Sequence, residues 1–209
     1  MVATIQGEST LAGTPCALVR LAGCPLRCGY CDTPEALSAR SGRPATIDAI
    51  RRRVADLDLP LTLVTGGEPL AQQATPTLLA ALLPVSPVLQ LETSGAFDIG
   101  RVPEGVRRIL DIKTPGSGEA ERNRVENLAL LRAGDEVKFV ITDQADFDWS
   151  IDFIRRHRLE ERGLPLLLSP VHGAVELPRL CDWILASRLP LRLQPQLHKW
   201  IWGAEARGV

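Results

Sequence analysis

The sequence predicts an α/β fold, an open and partial β/α barrel with a mostly parallel sheet. Short apolar runs alternate with helix-like segments along the chain, and this order is typical of βαβ units whose helices cover a parallel sheet. The seven strand candidates and five helix candidates are too few for a complete eightfold barrel. A length of 209 residues suits one well-buried core, so we expect residues 1–209 to form a single domain.

The strand candidates are short apolar runs. They cover Cys16–Leu21, Leu61–Val64, Val88–Leu91, Arg108–Ile112, Glu136–Ile141, Leu166–Leu168 and Leu191–Leu193. In open parallel sheets and barrels, ligands bind at the carboxyl ends of the strands. The residues that follow each strand are therefore the first candidates for a functional site.

The helix candidates lie between these strands. They cover Ile47–Leu57, Pro76–Leu83, Glu121–Ala133, Phe147–His157 and Leu177–Ser187. Several of their ends have a local cause: Thr46 can cap the helix that follows it, and Pro76 suits a first helical position. Gly134 can adopt the left-handed conformation that ends a helix.

Composition excludes several classes of function. The formal charge of −1 gives no electrostatic case for binding nucleic acid or an anionic membrane surface. No apolar run approaches the roughly 20 residues of a membrane helix, and Met1–Ile5 shows no secretory signal, which together predict a cytoplasmic protein. In that reducing compartment the five cysteines argue against a disulfide framework. We expect two of them, Cys16 and Cys181, to be buried thiols.

Basic residues are unevenly divided, with 21 arginines against three lysines at positions 113, 138 and 199. A genome that favours arginine codons would explain the imbalance. The alternative is that each remaining lysine occupies a place that requires a compact ammonium rather than a planar guanidinium. The sequence leaves both explanations open.

Three cysteines, Cys24, Cys28 and Cys31, lie within eight residues just after a predicted strand. Spacings of three and two residues allow one short loop to surround a metal centre, and Gly23 and Gly29 make its backbone adaptable. Three thiolates suit a four-iron cluster with one open iron, since ordinary clusters take four cysteines. The alternative is a zinc site that takes His172 or His198 as its fourth ligand.

The Cys-x-x-x-Cys-x-x-Cys spacing resembles the signature of the radical SAM superfamily, in which the open iron binds the amino and carboxylate groups of S-adenosylmethionine (SAM). The loop Thr65-Gly66-Gly67-Glu68-Pro69 also follows a predicted strand, and it resembles the superfamily motif that holds the SAM methionine. Tyr30 stands where the superfamily often has an aromatic residue beside the adenine. Both motifs in this order disfavour zinc, and they imply a partial barrel of the radical SAM type.

Further stretches narrow the resemblance to one family, the 7-carboxy-7-deazaguanine synthases. They are Ile5-Gln6-Gly7-Glu8, Arg20, Cys31-Asp32-Thr33, Glu92-Thr93-Ser94-Gly95 and Gln196-Leu197-His198-Lys199. The resemblance implies ring contraction of 6-carboxy-5,6,7,8-tetrahydropterin to 7-carboxy-7-deazaguanine, with loss of ammonia, in queuosine biosynthesis. It implies a [4Fe-4S] cluster, SAM and Mg²⁺ as cofactors, a reducing partner such as a flavodoxin or ferredoxin, and a homodimer.

The resemblance also implies roles for single residues beyond the cluster cysteines. Substrate contacts are expected at Ile5, Gln6, Gly7, Glu8, Arg20, Thr65, His198 and Lys199. SAM contacts are expected at Tyr30, Gly66, Gly67, Glu68, Glu92, Asp111, Lys113, Ser169, Pro170, Val171 and His172. Thr33 is expected to bind Mg²⁺ through a neutral oxygen, and Arg20 can pair with the substrate carboxylate through two hydrogen bonds.

Each of these roles has a plainer alternative. Gln6 and Glu8 would be turn residues, and Thr33 would cap a turn. Arg20, His172 and His198 would be solvated surface residues. Glu92 would be a strand-end carboxylate, and Asp111 and Lys113 would pair with each other. The whole protein could instead be an activase that makes a glycyl radical on a partner enzyme, or a zinc-binding module without chemistry. The sequence also departs from the family, which often has glycine where Ser9 stands and commonly ends before a tail such as Trp202–Val209.

Overall fold

A computed structural model describes residues 1–206 and contains one eight-stranded sheet in which the strands are ordered β1 to β8 along the chain. The strands are β1 Val2–Ile5, β2 Pro15–Leu21, β3 Leu61–Gly66, β4 Val88–Thr93, β5 Val106–Ile112, β6 Glu136–Ile141, β7 Leu166–Pro170 and β8 Leu191–Leu193. β1 runs antiparallel to β2, and all later neighbours are parallel. The open, mostly parallel sheet was predicted, although β1 was not. That residues 1–209 are a single domain stays a prediction.

Five α-helices accompany the sheet. They are α1 Ile47–Leu57, α2 Thr75–Leu82, α3 Gln144–Arg156, α4 Leu177–Ser187 and α5 Leu197–Trp202. The first four were predicted within three residues at each end, whereas α5 was not predicted. The Thr46 side chain accepts a hydrogen bond from the Ala49 amide at 3.2 Å, as its capping role requires. Within residues 1–206, no helix combines the length and the apolar content needed to cross a bilayer.

The predicted helix at Glu121–Ala133 is wrong. The segment forms only short 3₁₀ turns, Ala120–Arg122 and Val125–Leu130. Asn123 exchanges side-chain hydrogen bonds with the Lys113 backbone, and the buried Asn127 side chain donates to the carbonyls of Gly95 and Phe97. Such bonds compete with helical backbone pairing. Gly134 has a φ of +92°, the predicted left-handed conformation, but no α-helix precedes it.

The two faces of the sheet differ in chemistry because side chains alternate along each strand. The outer face packs against the helices in the main core. The concave face is apolar on β2 and β3, where Cys16, Leu18, Leu61 and Leu63 form a second cluster with Ile109 of β5. On β4, β5 and β6 it is polar, with the side chains of Gln90, Glu92, Asp111, Glu136 and Lys138. Cys16 is fully buried, as predicted, and burial raises its pKa to about 11, whereas Cys181 is partly exposed.

The loop of residues 6–14, here called the floor loop, crosses the concave face. Gln6 donates to the Gln90 side chain on β4 at 2.7 Å, and Thr10 donates its backbone N–H to Glu136 on β6 at 2.9 Å. The Gly7 carbonyl accepts a hydrogen bond from the Leu197 amide, beyond β8, at 2.9 Å. The floor loop thereby connects both edges of the open sheet and forms the bottom of any cavity on this face.

Ser9 in the floor loop has a φ of +70°, in the left-handed region where glycine is favoured. This conformation gives a physical reason for the glycine that the resembling family often has there. The Ser9 hydroxyl accepts a hydrogen bond from the Leu11 amide at 3.0 Å and also contacts Gln90. These bonds offset part of the backbone strain.

Replacing Ser9 by glycine and by alanine separates the strain from the hydroxyl bonds. Both variants lose the hydroxyl, but only Ser9→Ala keeps a Cβ at positive φ, which costs about 1–2 kcal/mol. We expect Ser9→Ala to be less stable than Ser9→Gly by about 1 kcal/mol, as measured by urea unfolding. Alanine being equal to or better than glycine would contradict the strained conformation.

Candidate functional site

A cavity on the concave face opens at the carboxyl ends of the parallel strands. It is lined by the loop after β2, the ends of β3, β4 and β5, the segment after β7, the floor loop and the chain leading into α5. All but three of the residues predicted to form the site line this cavity, although they come from segments far apart in sequence. The exceptions are Glu68, Ser169 and Pro170.

Cys24, Cys28 and Cys31 line the cavity as free, partly buried thiols. Backbone hydrogen bonds shape their loop: Cys31 donates to the Cys28 carbonyl at 3.1 Å and Cys24 to the Leu37 carbonyl at 3.0 Å. Burial raises the pKa of Cys24 and of Cys28. In residues 1–206 no group of three or more His, Cys, Asp or Glu side chains converges on a single ion position, and neither His172 nor His198 completes one.

Gly66 and Gly67 allow the loop after β3 to pack directly on the cysteine loop. Gly67 donates to the Leu21 carbonyl and Glu68 donates to the Gly23 carbonyl, both at 2.9 Å. A Cβ on Gly66 would lie 2.0 Å from the Leu21 oxygen, and one on Gly67 would lie 2.5 Å from the Gly23 oxygen. Both glycines also line the cavity, so a ligand there can approach bare backbone.

Glu68 is fully buried, and its carboxylate bonds the protein rather than facing the cavity. It accepts hydrogen bonds from the Leu70 amide at 2.8 Å, from Thr93 Oγ1 at 2.8 Å, and from the amide and hydroxyl of Ser94 at 2.7 and 2.6 Å. Glu68 therefore ties the end of β3 to the end of β4. Ser169 and Pro170 are likewise buried, within β7, so any effect of these three side chains on a ligand is indirect.

Lys138, which sequence reasoning did not place in the site, is the centre of a buried charge cluster. Its ammonium bonds Glu8 Oε2 at 2.6 Å and Glu92 Oε1, and Asp111 Oδ2 lies 3.7 Å away. Asp111 also pairs with Lys113 at 2.9 Å. The cluster therefore holds three carboxylates and two ammonium groups, which we call the carboxylate–lysine cluster.

Members of this cluster shift one another's pKa. Burial lowers the pKa of Lys138, but the charges of Glu8, Glu92 and Asp111 reverse this and raise it well above its usual value. Burial raises the pKa of Glu8, but Lys138 and a hydrogen bond from Gln196 bring it below its usual value. For Glu92, burial together with the charge of Glu8 outweighs Lys138, and the pKa lies above its usual value. Glu8 is thus held as the anion, and Glu92 is the carboxylate that protonates more easily.

Asp111 and Lys113 pair with each other and also line the cavity, so the predicted pairing is present and a contact with SAM stays a prediction. Among residues 1–206, two buried polar atoms at this place, Asp111 Oδ1 and Tyr30 Oη, find no hydrogen-bond partner. The Lys113 ammonium lies 5.9 Å from the centre of the Tyr30 ring. Burial, followed by the charge of Asp111, raises the pKa of Tyr30, so its hydroxyl keeps a proton to donate.

The floor loop and the C-terminal segment meet at one side of the cavity. Gln196 Nε2 donates to Glu8 Oε1 at 2.8 Å and to Asp32 Oδ2 at 3.1 Å, and Lys199 pairs with Asp32 at 2.9 Å. A Cβ on Gly7 would lie 2.1 Å from the His198 ring nitrogen Nδ1. Glycine is therefore required at position 7 for His198 to occupy its place, and His198 is half-buried rather than solvated.

Arg20 and Thr33 line the cavity with side chains that remain available to ligands. Arg20 is exposed, and within the described residues its guanidinium has no carboxylate partner. Thr33 precedes a short 3₁₀ turn but makes no capping hydrogen bond; its hydroxyl instead donates to Asp32 at 3.1 Å. His172 is exposed at the rim.

Three important lining residues escaped sequence reasoning as site residues: Asp32, Lys138 and Gln196. Asp32 and Gln196 lie inside stretches that resemble the family, so the predicted roles of their neighbours could have indicated them. For Lys138 the signal was the scarcity of lysine. All three lysines of this arginine-rich chain line the same cavity, which favours the explanation that each position requires an ammonium.

Comparison with known proteins finds close relatives over nearly the whole chain. Residues 18–115 match the radical SAM superfamily. The chain is 45% identical to the 7-carboxy-7-deazaguanine synthase of Chlorobaculum tepidum over 209 residues, which cover 99% of this chain and 94% of that relative. It is 37% identical to the 7-carboxy-7-deazaguanine synthase of Koribacter versatilis over 220 residues, covering 99% and 96%.

Solved structures share the fold. QueE from Escherichia coli matches with a TM-score of 0.70 at 23% identity, over 95% of this chain and 92% of that one. SuiB from Streptococcus suis, solved with SAM bound, matches with a TM-score of 0.59 at 16% identity, over 86% of this chain and 49% of that one. These likenesses concern the fold, and they confirm the predicted open, mostly parallel α/β sheet.

Proposed function

The chain belongs to the 7-carboxy-7-deazaguanine synthase family of the radical SAM superfamily, and we propose that it converts 6-carboxy-5,6,7,8-tetrahydropterin to 7-carboxy-7-deazaguanine in queuosine biosynthesis. The observation that carries this proposal is the convergence of the cysteine loop, the Gly66-Gly67 loop and the carboxylate–lysine cluster on one cavity. Relatives of this one family over almost the full length disfavour a glycyl-radical activase or a zinc module.

The superfamily implies a [4Fe-4S] cluster and SAM, which together supply the radical chemistry when bound. We assign the cluster to Cys24, Cys28 and Cys31, the free thiols that line the cavity. The lining backbone of Gly66 and Gly67 suits the amino and carboxylate groups of SAM, which need amide and carbonyl partners.

Two unpartnered buried atoms support the remaining SAM assignments. Asp111 Oδ1 can accept a hydrogen bond and Tyr30 Oη can donate one, and a bound ligand would satisfy both. Glu92, Lys113, Val171 and His172 also line the cavity, and we assign them to SAM. Glu68 acts by holding two strand ends in place, and any effect of the buried Ser169 and Pro170 is indirect.

We assign the pterin to the adjoining part of the cavity, beside the floor loop. The ionised Glu8 can accept two N–H groups from the aminopyrimidine edge of the pterin, and Gln6 supports it from the floor loop because its amide already bonds Gln90. The unpaired guanidinium of Arg20 suits the substrate carboxylate. Ile5, Gly7, Thr65, His198 and Lys199 complete the assigned contacts, all of them lining the cavity.

Mg²⁺ is assigned to Thr33. Its hydroxyl lies beside the Asp32 carboxylate, and neutral and anionic oxygens are the donors that this ion prefers, with water and substrate completing an octahedral shell. We further propose an external reductant such as a flavodoxin or ferredoxin, and a homodimer. Five free thiols and a cysteine-held cluster suit the reducing environment of the cytoplasm.

The direct test is anaerobic incubation of the cluster-loaded protein with SAM, a reductant and 6-carboxy-5,6,7,8-tetrahydropterin, read by mass spectrometry. We expect 7-carboxy-7-deazaguanine from the parent protein. Cys28→Ala should lose most of the bound iron and all product, because three thiolates are the minimum set for the cluster. Cys181→Ala, at a partly exposed thiol of α4, is the matched control and should keep both. Full iron content in Cys28→Ala would contradict the cluster assignment.

Removing the Thr33 hydroxyl tests the metal assignment. Thr33→Ala should raise the Mg²⁺ concentration that gives half-maximal turnover by about tenfold, since one neutral ligand is lost. Iron content and SAM binding should stay at the parental level. Thr33→Ser, which keeps the hydroxyl, is the control, and an unchanged Mg²⁺ dependence in Thr33→Ala would leave Thr33 with a structural role.

Arg20→Ala tests the carboxylate anchor. A charge-assisted bond to an exposed arginine contributes about 1.5–3 kcal/mol, so substrate affinity should fall by about 10- to 100-fold. A poorly fixed substrate should also uncouple the reaction, because positioning is the protein's main contribution. The measurement is the ratio of product to 5′-deoxyadenosine, with Arg20→Lys expected to recover only part of it. A parental ratio and parental affinity in Arg20→Ala would remove Arg20 from the substrate site.

A further inference from the structure

Lys138 occupies the point where three segments of the chain bring carboxylates together. It lies directly opposite Asp111 in the register of β6 and β5, bonds Glu92 of β4, and reaches Glu8 of the floor loop at 2.6 Å. The side chain of Lys138 is only 6% exposed. No other cation of residues 1–206 contacts Glu8 or Glu92 at salt-bridge distance, so their charges depend on this one ammonium.

A compact ammonium suits this contact, in which Lys138 hydrogen-bonds Glu8 and Glu92 and lies 3.7 Å from Asp111 Oδ2. A tetrahedral ammonium directs three N–H donors to three sides, whereas a guanidinium directs its donors within one plane. Elsewhere in the same sheet a buried ion pair uses arginine: Arg108 binds both oxygens of Asp135 side by side. In a chain with 21 arginines and three lysines, the ammonium at position 138 matches a site where two carboxylates on different segments bind one nitrogen and a third lies nearby.

Both oxygens of Glu8 are held by the protein. Gln196 donates to Oε1 at 2.8 Å, and Lys138 donates to Oε2. The carboxylate therefore has one orientation, and it lines the cavity with a side chain that is 15% exposed. Each oxygen keeps a further acceptor site, so the pair can receive two parallel N–H donors from a planar ligand.

We propose that Lys138 is a positioning residue for the pterin site, whose ammonium fixes the Glu8 carboxylate by joining it to Glu92 and Asp111. The proposal rests on the proposed function, because it takes the ligand of Glu8 to be the aminopyrimidine edge of a pterin. Lys138 lines the cavity beside these carboxylates, and in this proposal it acts on the substrate through Glu8.

Loss of the ammonium would leave Glu8 and Glu92 facing each other without their shared counter-ion. Two like charges in a buried site repel, so that one protonates or turns away. Neutralising Glu92 in the same protein removes that repulsion and leaves Glu8 with Gln196 as its partner. The two changes together should therefore do less harm to pterin binding than the loss of Lys138 alone.

The experiment compares Lys138→Met, Lys138→Arg and the double variant Lys138→Met/Glu92→Gln in the cluster-loaded protein. The probe is 6-carboxypterin, an oxidised analogue with the same edge and carboxylate, titrated anaerobically by its fluorescence. SAM affinity is measured separately by calorimetry, and melting temperature reports folding. Arg51→Met, which removes an exposed cation of α1 that pairs with Asp48, is the control for loss of a positive charge.

Lys138→Met should weaken 6-carboxypterin binding by at least about tenfold and weaken SAM binding clearly less, because Asp111 keeps Lys113 as its partner whereas Glu8 keeps only Gln196. Lys138→Arg should recover little, since a bulky planar guanidinium cannot place one nitrogen between Glu8 and Glu92 as the ammonium does. The double variant should regain at least about threefold of the lost affinity, and Arg51→Met should match the parent.

Three results would overturn the proposal. The first is parental pterin affinity in Lys138→Met. The second is a parallel loss of pterin affinity, SAM affinity and melting temperature, which indicates a purely structural role. The third is a selective loss that Glu92→Gln does not relieve, since Lys138 would then contact the pterin itself. Failure of the proposed function can be told apart from these results. In that case the parent protein itself would bind no 6-carboxypterin and form no product.

Discussion

Charge balance on the concave face is the constraint on which the rest of the site depends. Three carboxylates, Glu8, Glu92 and Asp111, share two ammonium groups, Lys113 and Lys138, in a largely buried space. Buried charges are tolerated only when they are paired and hydrogen-bonded. The pairing therefore decides where the floor loop lies, since Glu8 has to reach the middle of β6.

The position of the floor loop in turn closes the cavity. An open sheet leaves its two edges apart, and here the backbone bond between Gly7 and Leu197 joins the segments beyond β1 and β8. Gln196 then reaches both Glu8 and Asp32, which brings the C-terminal segment to the end of the cysteine loop. A continuous set of hydrogen bonds thus links the floor loop to the part of the cavity next to the cysteine loop.

Close backbone packing provides the second constraint, on the cofactor side. Gly66 and Gly67 allow the loop after β3 to contact the carbonyls at the end of β2 and the start of the cysteine loop. Glu68 stabilises this arrangement by accepting four hydrogen bonds, one from the segment after β3 and three from the end of β4. The glycine pair resembles a ligand-binding loop, but it also sets the distance between the ends of β2 and β3. The neighbouring Glu68 has a structural role, because it joins the ends of β3 and β4.

The sequence by itself determined the features whose causes are local. The spacing of Cys24, Cys28 and Cys31 predicts a loop able to surround a metal centre, the apolar runs predict seven of the eight strands, and Thr46 caps its helix, because each depends on residues only a few positions apart. The tertiary structure decided what depends on distant partners. Lys138 lies 130 residues from Glu8 and 46 from Glu92, so no local pattern reveals their contact.

The segment Glu121–Ala133 has a helix-like pattern but is held in short turns, because Asn123 and Asn127 bond backbone groups that only the folded sheet brings within reach. The spacing of residues along the chain limits which local structures they can form. Strand register and burial decide which distant groups meet, and these distant contacts set the ionisation of the site.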